Sequence, residues 1–186
     1  MKIQNMHWRN TKDYWGLITI TIHWLTALIV FGLFGLGLWM VGLDYYDAWY
    51  HKGPDLHKSI GILLLVMTLI RLVWHRVSHR PAPLASHTPR EQQLVIVTHS
   101  LIYFLLITAM LSGYFMSTAD GHAVVVFNWF QIPATLHGID NQEDIAGVVH
   151  LWLAVSLIGL AVLHAMAAIK HHFFDRDQTL KRMLGL

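Results

Sequence analysis

The chain has 186 residues, 55% of them hydrophobic and only 13% charged, with a formal net charge of +2. A soluble domain carries about a quarter charged residues, so the composition points to a bilayer as solvent. Histidine occurs 14 times and cysteine not at all, which excludes disulfides, thiolate metal sites, iron–sulfur clusters and thioether-anchored cofactors.

The hydrophobicity falls in four blocks, roughly 16–41, 57–77, 94–116 and 147–171. Each is near or above the ~20 residues a membrane-spanning helix needs. The first, Gly16 to Val41, runs about 26 residues, too long for the core of a cleavable signal, and no small-residue cleavage site follows. It is expected to remain as a helix, with His23 near its start. The second opens on His57 and carries Arg71. A proline-rich, polar stretch, "SHRPAPLASHTPRE", then breaks the helical pattern. The third block contains His99. The connection after it is the longest and includes "VVVFNWFQIPATL", whose aromatics suit a cap at the membrane interface.

The fourth block, "GVVHLWLAVSLIGLAVLHAM" from Gly147 to Met166, places His150 and His164 fourteen residues apart with only apolar or small residues between. Fourteen residues of helix rise ~21 Å and turn almost four times, so both rings emerge on nearly the same face. No internal repeat or low-complexity tract interrupts the chain. It reads as one domain, residues 1–186, of the all-α class: an integral membrane four-helix bundle.

Basic residues set the orientation. With the N-terminus inside, the inner side receives Lys2, Arg9, Lys12, Arg71, Arg76, Arg80, Arg90, Lys170, Arg176, Lys181 and Arg182, while only Lys52 and Lys58 face out. This asymmetry predicts both termini on the cytoplasmic side. The outer side collects Asp44, Asp47, Asp55, Asp120, Asp140, Glu143 and Asp144.

On this topology the histidines sort by depth: His57 with His150 outside, His23 with His164 inside. Single membrane histidines often only hydrogen-bond a neighbouring helix, but four that match in depth and face call for a ligand. Zinc gathers three or four protein ligands at one point. Two at each depth instead suit axial binding of a metal already held by a porphyrin, hence two non-covalent b-type haems. Gly61 and Gly147 lie one turn from His57 and His150, leaving room beside each ligand, and Gly37 falls at the outer depth on the first helix. Arg71, fourteen residues after His57, falls at the inner depth; it reads equally as a haem-propionate partner or as a residue snorkelling to the inner headgroups. His99 and His171 read as satisfied polar or helix-end residues, with quinone or proton contacts as the minority role. His7, His51, His75, His79, His87, His122 and His137 read as surface or loop residues.

The stretches "ITIHWLTA" (Ile20 to Ala27), "DLHKSIGILLL" (Asp55 to Leu65), "VVHLWLA" (Val148 to Ala154) and "VLHAMAAIKHHFFDRDQTLKRM" (Val162 to Met183) resemble the bacterial cytochrome b561 family across all four helices. The resemblance implies a di-haem cytochrome of the bacterial inner membrane, with iron ligands at His23, His57, His150 and His164. The segment from Lys170 to Met183 and "GYFMSTADGHAVVVFNWFQIPATL" are similar to a branch associated with small secreted, lipocalin-like isoprenoid-binding proteins of the YceI type. That implies a periplasmic partner of this kind beside membrane lipid and quinone, ubiquinone included, and no nucleic acid.

The expected function is electron carriage between membrane quinone and a periplasmic-side donor or acceptor, which leaves open whether the chain is a quinone-linked oxidoreductase. The wider family also implies superoxide oxidation with electrons passed to ubiquinone. Seven outer acids against two lysines repel an anionic substrate, so this is the second reading. A metal or proton transporter using the histidine column comes third, because no intramembrane carboxylate accompanies the histidines.

Overall fold

The structure, a computed structural model, describes residues 7–84 and 86–186. Lys2, counted above among the inner cations, lies outside them. The elements in order are α1 (Leu17–Met40), α2 (Lys52–Val77), α3 (Pro89–Ser117), β1 (Val124–Val126), β2 (Phe130–Ile132), α4 (Gln142–Phe173) and α5 (Thr179–Leu184).

Helices α1 to α4 are each long and apolar enough to cross a membrane. No more than 22% of the most apolar stretch of any of them is buried within the protein. Leu28, Ile70, Ile96 and Trp152 are among the large side chains turned outward. Such a surface is costly in water and at home against lipid.

Helices α2, α3 and α4 begin more than a turn before their apolar blocks, and local chemistry explains α3 and α4. Helix α3 starts at Pro89, whose fixed φ suits a first helical position. Thr88 and Glu91 close a capping box before it: Glu91 N–H donates to Thr88 Oγ1 at 3.3 Å, and Thr88 N–H to Glu91 Oε2 at 2.7 Å. Helix α4 has Glu143 and Asp144 in its first turn and Lys170, His171 and His172 in its last, each sign suited to its end of the helix dipole.

Two compact units share the four helices. One comprises the described residues up to Ala27 together with Met67–Ile102 and Gly159–Leu186. Here Asn10 ties down the segment before α1. Its Oδ1 accepts from Gly16 N–H (2.9 Å) and Thr19 Oγ1 (2.7 Å), and its Nδ2 donates to the His79 carbonyl (2.9 Å). Gly16 has no space for a side chain, since a Cβ would stand 2.4 Å from the Arg9 carbonyl carbon and 2.7 Å from Asn10 N. Gly16→Ala is therefore expected to destabilise the protein by about 1–3 kcal/mol, the usual cost of overpacking. Thermal unfolding in detergent checks this against Gly32→Ala, where nothing lies within 4 Å. Helix α5 ends on Gly185, in the left-handed region at φ 73°. Arg182 Nη1 donates to the Ala82 carbonyl (3.0 Å) and Nε to the Asp13 carbonyl (2.9 Å), while Trp24 Nε1 donates to the Met183 carbonyl (2.8 Å).

The other unit comprises Leu28–Val66 and Tyr103–Ile158. It adds a short two-stranded hairpin to the helical architecture. β1 and β2 pair antiparallel, with Val124 opposite Ile132 and Val126 opposite Phe130. Three β-branched valines favour the strand. The turn is closed by Trp129 N–H donating to the Val126 carbonyl at 2.8 Å. Phe127 and Asn128 both take positive φ there (46° and 58°), the handedness that matches strand twist. Val124 and Val126 pack on Ile62 of α2, with Tyr114 and Ile132 at the margin. Ser59 Oγ donates to the Val125 carbonyl and accepts from Phe127 N–H, and Tyr114 OH donates to the Pro133 carbonyl at 2.6 Å. The aromatic segment is thus a hairpin clamped to α2 and α3.

Candidate functional site

In the unit containing the hairpin, α2 presents His57 to His150 of α4, with ring centroids 6.1 Å apart and planes 80° to each other. Edge-to-face rings meet at centroid separations of ~4.5–7 Å, and two facing imidazoles from different helices are a donor pair that could hold one metal-centred group.

His150 is held firmly. Its Nδ1 lies 2.8 Å from the Ala109 carbonyl of α3 and 3.3 Å from Ser112 Oγ. A carbonyl only accepts, so Nδ1 carries the proton and Nε2 is left with its lone pair, as a metal-binding imidazole requires. Gly113 gives the ring room, for a Cβ there would stand 3.0 Å from His150 Cε1 and 3.1 Å from Nδ1. His57 lies against Gly37 of α1, where a Cβ would meet its Cε1 at 3.4 Å. The His57 Nδ1 is buried without a hydrogen-bond partner. Gly61 opens onto space with nothing within 4 Å, whereas the space at Gly147 is filled by Met116 Sδ at 3.5 Å.

In the unit containing α5, His23 of α1 faces His164 of α4 with centroids 6.4 Å apart and planes at 70°. Here α3 contributes a third ring: His99 stands 4.9 Å from His164, its Nδ1 bonded to the Val95 carbonyl at 2.7 Å. Arg71 Nη2 lies 3.0 Å from His23 Nδ1. The arginine thus engages a ring of the His23–His164 pair directly, an arrangement that neither of its two expected roles included. Among the described residues, then, the four spaced histidines form two pairs, and Arg71 and His99 join the second.

His171 stands apart from these rings, its Nδ1 2.7 Å from Asp175 Oδ2. His87, read from sequence as a loop residue, is bonded through Nε2 to Asp177 Oδ2 at 2.9 Å. The Lys170 ammonium, hydrogen-bonded to Asp175, is the largest influence holding that carboxyl below its usual range. Burial alone would raise Asp177, but hydrogen bonds from Thr179 N–H, His87 and the Thr179 hydroxyl outweigh it and keep it low. Both carboxylates stay ionised at neutral pH. Sequence reasoning missed Gly113, His87 and Asp177. Gly113 follows His99 by fourteen residues, the interval that relates His23 to Gly37, so the spacing carried a signal for it; the His87–Asp177 contact joins residues ninety positions apart in irregular segments.

The model of the prokaryotic cytochrome b561 family matches residues 14–186. The chain is 51% identical to "Cytochrome b561 homolog 2" of Escherichia coli (strain K12) over 97% of its own length and 96% of the relative's. It is 28% identical to "Probable superoxide oxidase CybB" of Yersinia pestis, covering 93% and 96% of the two chains. With "Cytochrome b561 homolog 1" of Escherichia coli (strain K12) it shares 23% identity over 89% and 93%.

Proposed function

The chain belongs to the prokaryotic cytochrome b561 family, and from that premise we propose a di-haem b-type cytochrome that carries electrons between membrane quinone and a periplasmic-side donor or acceptor. The two facing histidine pairs carry the reading, at 6.1 and 6.4 Å between ring centres. His57 and His150 would hold one haem and His23 and His164 the other. Bound haem supplies reversible one-electron exchange, and the protein supplies placement and tuning.

What the chain itself does can be derived residue by residue. The Ala109 carbonyl fixes the tautomer and plane of His150, keeping Nε2 ready. Arg71 engages the His23 ring and would also suit a haem carboxylate. While its guanidinium donates to His23 Nδ1, the His23 proton must sit on Nε2. Were haem held here, His23 would present a ring nitrogen to it, and Arg71 would be placed to pair with one of its carboxylates. His99, beside His164, is the better candidate for proton exchange with quinone, because it stands among the histidine pair and His171 stands apart from it. We place the protein in the inner membrane with both termini cytoplasmic, following its basic residues. A lipocalin-like isoprenoid-binding protein is the proposed periplasmic partner.

Haem per chain in the purified protein, together with a reduced-minus-oxidised spectrum, tests the proposal. Two b-type haems per chain are expected, and one or none rejects the di-haem reading. The likeness to a relative named a probable superoxide oxidase favours a second reading, superoxide oxidation with quinone as acceptor. Against it stand the acids of the outer segments. Asp120 is held below its ordinary range mainly by the backbone N–H of His122 and so stays anionic. Rapid reduction of the haems by superoxide would favour the oxidase; reduction by quinol but not by superoxide would leave the carrier.

A further inference from the structure

From the side chains that meet where the α2–α3 connection, the end of α4 and the segment before α5 converge, we propose a second kind of metal site: a divalent transition-metal site, suited to zinc, built from His87, His171 and Asp177. It is independent of the haem reading, since it shares no residue with either histidine pair.

One ligand atom from each of the three lies within 4.8 Å of the others. His87 Nε2 is 2.9 Å from Asp177 Oδ2, His171 Nδ1 is 3.7 Å from the same oxygen, and the two imidazole centroids are 5.0 Å apart. A tetrahedral zinc with bonds of ~2.0–2.1 Å holds its ligand atoms ~3.3 Å apart. The two spacings to the Asp177 oxygen bracket that value and all three donors lie within 4.8 Å of one another, so small side-chain shifts would bring them onto one ion. The two imidazoles and one carboxylate are a donor set that zinc accepts, with a fourth position left for water.

The surroundings are those of a built site. The Asp177 side chain is 4% exposed and that of His87 12%. Asp177 is also oriented from behind. Thr179 N–H donates to its Oδ1 at 2.8 Å and the Thr179 hydroxyl to its Oδ2 at 3.0 Å. Such outer partners fix the direction of a ligating carboxylate. The three donors border a cavity of about 390 Å³, also lined by Glu91, Lys170 and Asp175. Without an ion the donors are bridged by hydrogen bonds: His87 to Asp177, and His171 to Asp175 at 2.7 Å. A cation would take the place of those bridging protons. Lys170 already neutralises Asp175 through a 2.7 Å contact, which leaves Asp177 as the anionic ligand. Because the donors come from three separate segments, the ion would clasp the α2–α3 connection to the end of α4 and the segment before α5.

Zinc retention by the haem-loaded protein in detergent tests this. The protein is stripped with a chelator, incubated with zinc chloride, desalted and measured for zinc per chain, with affinity from calorimetric titration. One zinc per chain and a zinc-dependent rise in Tm are expected. His87→Gln and Asp177→Asn should each weaken binding at least tenfold and abolish the Tm rise. His122→Ala, at an exposed site in the other unit, should change neither. His87→Gln guards against misfolding of the Asp177 variant, since it retains size and polarity. Equal zinc in wild type and His87→Gln, or no zinc retained by wild type, overturns the proposal and leaves an ion-pair clasp.

Discussion

His150→Ala should leave the purified protein with one haem per chain where two are expected of the wild type. The remaining haem should keep the potential and band shape of the His23–His164 site. The expectation follows from how His150 is held: its ring bridges the Ala109 carbonyl on one side and the space facing His57 on the other. Without it, His57, whose Nδ1 is already buried without a partner, would be left to hold the group alone, with no other histidine ring paired with it among the described residues. Because a ligand bound only to the folded state stabilises it, Tm should fall as well. His23→Ala is the counterpart and should remove the other haem, because the third ring there, His99, stands beside His164. A pyridine haemochrome assay with a redox titration reads both. Loss of both haems from either variant, or of neither, would break the assignment of pairs.

The second large effect requires no change of ligand. Gly113→Val should empty the same site, because a Cβ at that position stands 3.0 Å from a ring that cannot retreat without surrendering its bond to Ala109. Overpacking of this kind costs about 1–3 kcal/mol, and here the strain falls on the orientation of a ligand. Haem content is again expected to drop by one, with the His23–His164 haem unchanged. Gly147→Ala is the control, since its nearest neighbour is the flexible tip of Met116 at 3.5 Å. Should Gly113→Val bind two haems with unaltered spectra, His150 is not constrained as described.

The pairing of histidines was legible in the sequence because it depends on helix arithmetic alone. Fourteen residues return a side chain to nearly the same face, and alternating helix directions then match His57 to His150 and His23 to His164. Helix α3 carries one histidine, His99, followed at the same interval by Gly113 and not by a second ring, so which neighbours the two face depends on packing. That is why His99 was read as a bystander and Gly113 passed unnoticed. The helix starts of α3 and α4 were set too late for a different reason. Hydropathy sees the apolar stretch, whereas capping by Thr88 and Glu91, and dipole matching by Glu143 and Asp144, extend the helix into polar sequence. The hairpin escaped because its turn residues, Phe127 and Asn128, lack the glycine that usually announces a turn of that hand. His87 and Asp177 lie in irregular segments, where periodicity carries no information.

The division of the chain between its two compact units has a consequence for biosynthesis. Everything that builds the unit around His57 and His150 lies between Leu28 and Ile158. The unit around His23 and His164 draws on the first segment as well, yet it is clasped by Arg182 and Met183 through the Asp13 and Ala82 carbonyls and Trp24. A chain emerging from the ribosome can therefore close the first pocket while the second still awaits its clasp. The order of assembly would run opposite to the order in which the ligands His23 and His57 are made.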